Sequence, residues 1–476
     1  MDGLIMAGQL LLGLTILVGL HEFGHFITAR MFKIRVEKFY IFFDFLFPVS
    51  TLLNFSIFKI KKGDTEYGLG WFPLGGYVKI AGMVDESMDE EQMKQPMQDW
   101  EFRAKPAWQR LIVMLGGIIM NVITGFVIFI ALTFAKGDTY IPAKNAEFGI
   151  VSREIGDKIG LKTGDKIINI NGKPYTRFDE IMNADVLLGT DAYYTVLRDG
   201  KEFKVKIPND LINDLSDKTK KGAFIDMFPA TKDYGAAEIV PKSMAEKGGM
   251  KVGDKIISVN GVPITFYHEL QKALLDNAGK NIKVVVINEK NPKDLAIDAK
   301  KPVEGTTGVV AGVVAGVERE LTIGVTDEGK IGFAANYTKT MFAKQEFTFG
   351  EAVPHGINKA VNVVTDNIRG FGKIFRGEVS PSKAVSGPVG MASFYGATWN
   401  WERFWNITGM LSMVLAFMNL LPIPALDGGH VVFLIYEMIV GKAPSDKFMM
   451  VMQNIGTVLL LGLMAFALFN DFFKML

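Results

Sequence analysis

Uncharged runs and mixed polar stretches alternate along this chain on a length scale that suits a membrane protein better than one soluble domain. Four runs are nearly free of charge: Gly3–Ala29, interrupted only by Glu22, then Leu111–Ala135, Phe404–Leu426 and Phe448–Asn470. About 20 apolar residues cross a bilayer as a helix, so each run predicts a transmembrane span. After the first run the pattern changes. From Val36 to Lys79, aromatic and aliphatic residues cluster between turn residues, as in Phe39-Tyr40-Ile41-Phe42-Phe43 and Phe55-Ser56-Ile57-Phe58-Lys59-Ile60, and these read as strands. Gly68-Leu69-Gly70-Trp71-Phe72-Pro73-Leu74-Gly75-Gly76-Tyr77 follows, with the Gly and Pro of bends and close backbone approach. A β region this apolar either dips into the membrane interface or forms a small soluble subdomain. At membrane depth its backbone must be buried in protein or line a wet cavity. Val84–Asp99, rich in acid, reads as a solvated loop.

The stretch between the second and third runs repeats itself. Gly160-Leu161-Lys162-Thr163-Gly164-Asp165-Lys166-Ile167-Ile168-Asn169-Ile170-Asn171-Gly172 recurs 89 residues later, starting at Gly249, with nine of 13 positions identical. Each copy predicts a turn at Gly-Asp, a buried strand at Lys-Ile-Ile and a turn at Asn-Gly, followed by a helix candidate, Phe178–Leu187 or Tyr267–Leu275. Two copies of a roughly 90-residue unit are too few for a solenoid and fit a tandem pair. Gly308–Gly316 reads as an extra loop or strand pair in the second copy. Phe349–Phe375 has helical periodicity and suits either the membrane surface or a seat on the repeated modules. Ser386-Gly387-Pro388-Val389-Gly390 then makes a break.

Composition agrees with a membrane part joined to a water-exposed part: 49% of the 476 residues are hydrophobic and 22% charged, and the length permits two to four domains. The net charge of +1 has no basic periodic face, which argues against a nucleic-acid partner. There is no cysteine, so disulfides and thiolate ligands are excluded and a metal site must use His, Asp, Glu or carbonyl groups. Arg30, Lys33, Arg35 and Lys38 follow the first run, Arg103, Lys105 and Arg110 precede the second, and Lys442 and Lys447 separate the last two. By the positive-inside tendency these loops are cytoplasmic, and Lys136–Glu402 lies across the membrane. The first run carries Asp2, no Lys or Arg and no small-x-small cleavage site, so it predicts a retained span rather than a signal peptide.

Candidate chemistry sits in the first run, at His21-Glu22-Phe23-Gly24-His25. Residues four apart share one helix face, so His21 and His25 can offer ring nitrogens to one ion, zinc being the fitting choice. Glu22 sits where it can take a proton from an attacking water. A carboxylate this deep in an apolar run costs on the order of 2–3 kcal/mol and is usually functional. A catalytic zinc needs a third ligand. Asp427, in Asn419-Leu420-Leu421-Pro422-Ile423-Pro424-Ala425-Leu426-Asp427-Gly428-Gly429-His430, is the only acid between Phe404 and Tyr436. It reads equally as a ligand or as the cap of a helix over Val431–Val440, and His430 is a rival ligand.

Two resemblances follow from these motifs. The Gly-Leu-x-x-Gly-Asp-x-Ile-x-x-Ile-Asn-Gly pattern looks like the PDZ domains of bacterial envelope proteases, which receive an extended peptide on a sheet edge beside a helix. H-E-x-x-H in a first span, N-x-x-P-x-x-x-L-D-G in a later one and PDZ modules between them resemble the site-2 proteases over nearly the full chain, closest to the regulator-of-sigma-E type. The resemblance implies zinc held by His21, His25 and Asp427, with Glu22 as general base and Asn419 holding extended substrate. Pro73–Lys79 is similar to that family's membrane-embedded β region, and pairing of substrate with an edge strand near Gly68, Gly70 and Trp71 is expected. Where many members have Gly-Pro-x-x-Asn, this chain has Gly117-Ile118-Ile119-Met120-Asn121, which alters a kink and no ligand.

The expected fold is thus a multi-domain membrane protein: a four-helix transmembrane core with a membrane-associated β region, and two α+β PDZ modules outside the membrane. Its parts are 1–136 (spans one and two), 137–235 (first PDZ), 236–340 (second PDZ), 341–402 (surface helix and linker) and 403–476 (spans three and four). The expected activity is hydrolysis within transmembrane segments of single-span proteins, such as an anti-sigma factor or remnant signal peptides, with the PDZ pair gating by size. The expected place is a bacterial inner membrane, with the PDZ modules periplasmic. The rival reading is a catalytically inactive, membrane-anchored PDZ scaffold. A zinc transporter would want further His or Asp in the second and fourth spans, and neither has one.

Overall fold

The computed structural model describes residues 2–44, 54–73, 75–83, 96–215, 224–288, 318–337 and 341–475. The Gly308–Gly316 stretch and most of the predicted acidic loop lie outside these. The chain divides into two compact units: Met1–Asp138 with Glu346–Leu476, and Thr139–Gln345.

In the discontinuous unit, the apolar runs form helices Asp2–Met31, Ala107–Lys136 and Asp446–Met475. Among the described residues these three are long and apolar enough to cross a membrane. The predicted third span is different. Its helix, Trp401–Leu420, starts on Trp-Glu-Arg and stops six residues before Leu426, because Pro422 and Pro424 cannot donate to the helix ladder. It is not among the three that qualify as spans. The chain bends over residues 421–426 and resumes as helix Asp427–Val440.

The first two long helices touch backbone to backbone. A Cβ on Gly24 would overlap the carbonyl of Gly116, and one on Gly116 would lie 2.7 Å from Thr28 Oγ1. Small residues permit this approach where the hydrophobic effect between helices is weak. Helix Phe349–Phe375, with the predicted bounds, packs in this same unit: Gly356 lies against the backbone of Ile130, and Lys359 Nζ is 2.5 Å from Asp138 Oδ1. It therefore seats on the second long helix.

A four-stranded sheet follows the first helix, in the order Ser56–Lys62, Thr65–Gly70, Val36–Ile41, Tyr77–Ile80. Strand Val36–Ile41 turns back along the helix it has just left. The Ile41 side chain lies 3.7 Å from the Cβ position of Gly19, twelve residues or about 18 Å of helix rise before Met31. The outer strand is exposed on both faces, with Phe55, Ile57, Phe58 and Ile60 all more than half exposed. The order corrects one expectation. Thr65–Gly70 is flanked on both sides, parallel to Val36–Ile41 and antiparallel to Ser56–Lys62, so Gly68 and Gly70 are not on an edge. They permit close packing instead: a Cβ on Gly68 would overlap the Tyr40 ring, and one on Gly70 the Phe43 carbonyl. Trp71 stacks on Phe55 with ring centroids 5.5 Å apart.

In the second unit the two sequence copies adopt the same local structure. Gly160 and Gly249, Gly164 and Gly253, and Asn171 and Asn260 all take positive φ at matching positions. Asp165 accepts from Lys162 N at 2.8 Å and pairs with Arg198; Asp254 accepts from Lys251 N at 2.7 Å and pairs with Arg319. The amides of Tyr193 and Lys283 donate to Asn171 and Asn260, both at 2.9 Å. Each copy's strand, Lys166–Ile170 or Asp254–Val259, enters an antiparallel sheet with a bulge. The copies diverge afterwards. Tyr267–Asp276 is a full helix, whereas its counterpart is a 3-10 turn, Phe178–Met182, and one short helical turn, Ala184–Leu187. Gly189, whose Cβ would overlap the Asp185 carbonyl, ends that turn.

Candidate active site

Helical spacing puts His21 and His25 on one face of the first helix, and the bend after Leu420 delivers Asp427 to them. His21 Nε2 lies 3.2 Å from His25 Nε2 and 3.2 Å from Asp427 Oδ2, and His25 Nε2 lies 3.4 Å from the same oxygen. Among the described residues these three form the one cluster of potential metal ligands. Donors bound at 2.0–2.1 Å around a tetrahedral ion stand about 3.3–3.4 Å from one another, so the triangle has the dimensions of a coordination face. Asp427 Oδ2 is buried, and the groups facing it are the two imidazole Nε2 atoms. A buried carboxylate oxygen and two ring nitrogens facing one point are satisfied together by a shared cation. The donor set, two imidazoles and one carboxylate, suits zinc.

The alternative roles for these residues do not match the structure. Asp427 is the first residue of its helix, the position before it is Leu426, and no side chain caps that end. His430 lines the same cavity but stands outside the ligand cluster.

The rings are held from behind. His25 Nδ1 donates to the Val113 carbonyl at 2.9 Å, which leaves Nε2 free for a metal. His21 Nδ1 faces the Asn121 amide at 3.1 Å. Gly117, one turn before Asn121, makes room for both rings, since a Cβ there would overlap His25 Nε2. The departure from Gly-Pro-x-x-Asn at Gly117–Asn121 leaves the Asn in place, and that Asn meets a ligand ring. The Asn121 contact spans 100 residues, and no local pattern announces it.

A cavity of about 520 Å³ opens on the cluster. Glu22 lines it beside His21, His25 and Asp427, and so does Asn419, whose Nδ2 is 3.5 Å from His21 Nε2. Tyr77, Val78 and Ile80 of the sheet's terminal strand give it a wall, continued by Gly75 and Gly76 just before that strand. Gly68, Gly70 and Trp71 do not line it.

The model of Peptidase family M50 matches residues 9–463. The regulator of sigma-E protease RseP of Escherichia coli is 28% identical over 477 residues, covering 98% of each chain. A Haemophilus influenzae protein named regulator of sigma E protease is 28% identical over 486 residues, again covering 98% of each. A Neisseria meningitidis protein whose name includes the words zinc metalloprotease is 27% identical over 469 residues and 97% of each chain.

Proposed function

This chain belongs to peptidase family M50, the site-2 proteases, and is a zinc metalloprotease of that type; from that premise we propose that it cuts peptide bonds inside the transmembrane segments of single-span proteins. The observation that carries the reading is the ligand triangle, in which two imidazole nitrogens and a buried Asp427 oxygen face one another at the spacing of a metal's ligands.

In this reading His21, His25 and Asp427 hold the zinc. Zinc bound there supplies a Lewis acid, which polarises the scissile carbonyl and makes water nucleophilic near neutral pH. Glu22 takes the proton from the attacking water and passes it to the leaving amine nitrogen. Val113 and Asn121 keep the imidazoles in the tautomer that presents Nε2. A transmembrane helix is a poor substrate, because its amides are already paired. Unwound to a strand, it can pair with the sheet's terminal strand, Tyr77–Ile80, and with Asn419, which offsets the cost of opening the helix.

The repeated modules, 137–235 and 236–340, act in this proposal as PDZ domains on the periplasmic face of a bacterial inner membrane, admitting only substrates trimmed of bulky outer domains. Two relatives are named for regulation of sigma E, and this proposal takes an anti-sigma factor as one client; remnant signal peptides suit the same site. Glu22→Gln protein, compared with wild type in cells, should accumulate uncut single-span proteins while keeping its zinc. Full cleavage by Glu22→Gln would overturn the role of Glu22.

A further inference from the structure

The last helix, Asp446–Met475, is nearly bare: 6% of its most apolar window is buried, leaving its apolar side chains for lipid. Among its described residues, those it buries are Gln453, Gly456, Asn470 and Asp471, none of them large and apolar. Three have a structural account. Gly456 lies against the Pro424 carbonyl, where a Cβ would overlap. Asn470 donates to the carbonyls of Ser382 and Val385 at 2.8 and 2.7 Å. Asp471 accepts from the amides of Gly387 and Gly390 at 3.0 and 2.9 Å.

Gln453 has none. It is 9% exposed, lines the cavity that holds the ligand cluster, and its side chain has no hydrogen-bond partner among the described residues. It stands one turn before Gly456 on the same face, so it sits beside the bend that delivers Asp427. The last helix otherwise lines the cavity with Leu460, Leu461, Leu463, Met464 and Ala467, so Gln453 is the hydrogen-bonding group that its described residues offer to an occupant. We propose that Gln453 binds the backbone of the extended substrate, its carbonyl accepting from one amide N–H and its NH2 group donating to a backbone carbonyl. The chemistry matches the occupant. A peptide opened from helix to strand inside lipid exposes such donor–acceptor pairs, and a terminal amide carries one of each. This inference rests on the proposed cleavage of unwound transmembrane segments and adds the group that holds the strand from the side of the last helix.

The test is equilibrium binding of a fluorescent synthetic transmembrane segment to the full chain in lipid nanodiscs, in a Glu22→Gln background so that turnover plays no part. Gln453→Leu should weaken binding at least about tenfold, with zinc content unchanged. Segments with single amide-to-ester replacements should contain one position whose loss weakens binding to the Gln453 protein and not to Gln453→Leu. Gln453→Met, which preserves length and flexibility, should repeat the result and separates lost hydrogen bonding from misfolding. Unchanged affinity in both variants, or no ester position that tells the proteins apart, would overturn the assignment. Failure of the proteolysis reading would show separately, as a wild-type protein that binds the segment and leaves it whole.

Discussion

His21 can lend Nε2 to a metal only while its proton stays on Nδ1, and that proton needs an acceptor. The Asn121 amide is the group in place, 3.1 Å away, and a half-turn of the amide sets its oxygen there. Asn121→Ala should therefore lower zinc affinity by about 10–100-fold, measured by competition with a chelator, whereas Asn121→Asp should retain most of it. Gly117→Ala should act more bluntly. The added methyl meets both rings, so one or both imidazoles must turn away, and zinc content after purification should fall. The histidines and Glu22 were legible in the sequence because a helix brings residues four apart together without help from elsewhere. Asn121 was not legible as a partner of His21. Its position depends on how closely two helices cross, and that depends on Gly24 and Gly116 meeting backbone to backbone.

The helix that starts at Asp427 is tied at its far end as well. Arg110, at the start of the second long helix, donates to Glu437, and both side chains are largely buried, at 15% and 16% exposure. Three residues after Arg110 comes Val113, whose carbonyl holds His25, so one helix fixes both the ring and the ligand-bearing helix. Removing one partner strands a buried charge. Arg110→Met or Glu437→Gln alone should cost about 3–5 kcal/mol, and the double variant less than the sum, read from unfolding of the solubilised protein. The same kind of long-range packing explains what sequence patterning missed among the strands. Alternation and turn residues located the strands at Val36–Ile41 and Ser56–Lys62 but say nothing of lateral order. Thr65–Gly70 became an interior strand through a parallel pairing with Val36–Ile41, and parallel partners cannot be read from a local turn. Pro422 and Pro424, by contrast, mark the helix stop in the sequence itself. Ala425 between that stop and Asp427 takes φ of +83°, a conformation that strains any residue with a Cβ. Ala425→Gly should therefore raise stability by about 1 kcal/mol, seen as a higher melting midpoint, at unchanged zinc content.

Every residue of the candidate site, His21, Glu22, His25, Asn121, Asn419 and Asp427, belongs to the discontinuous unit, and the repeated modules fill the inserted unit Thr139–Gln345. The repeat was plain from its nine shared positions, since each of them serves its own turn or strand; the bridging of a split unit by residues 402 apart in sequence was not, because it needs the whole membrane part assembled. This division has a consequence for regulation. If the inserted unit only selects substrates, ligand geometry and chemistry should survive its loss. Replacing residues 139–345 by a flexible linker should leave one zinc per chain and cleavage of a short transmembrane segment within a few-fold of wild type. Single-span proteins with bulky outer domains, spared by the intact chain, should then be cut as well. Measured side by side on clients of graded outer size, an unchanged size limit would assign the selection to the membrane unit itself, and lost zinc would mean that the inserted modules brace the ligand-bearing helices.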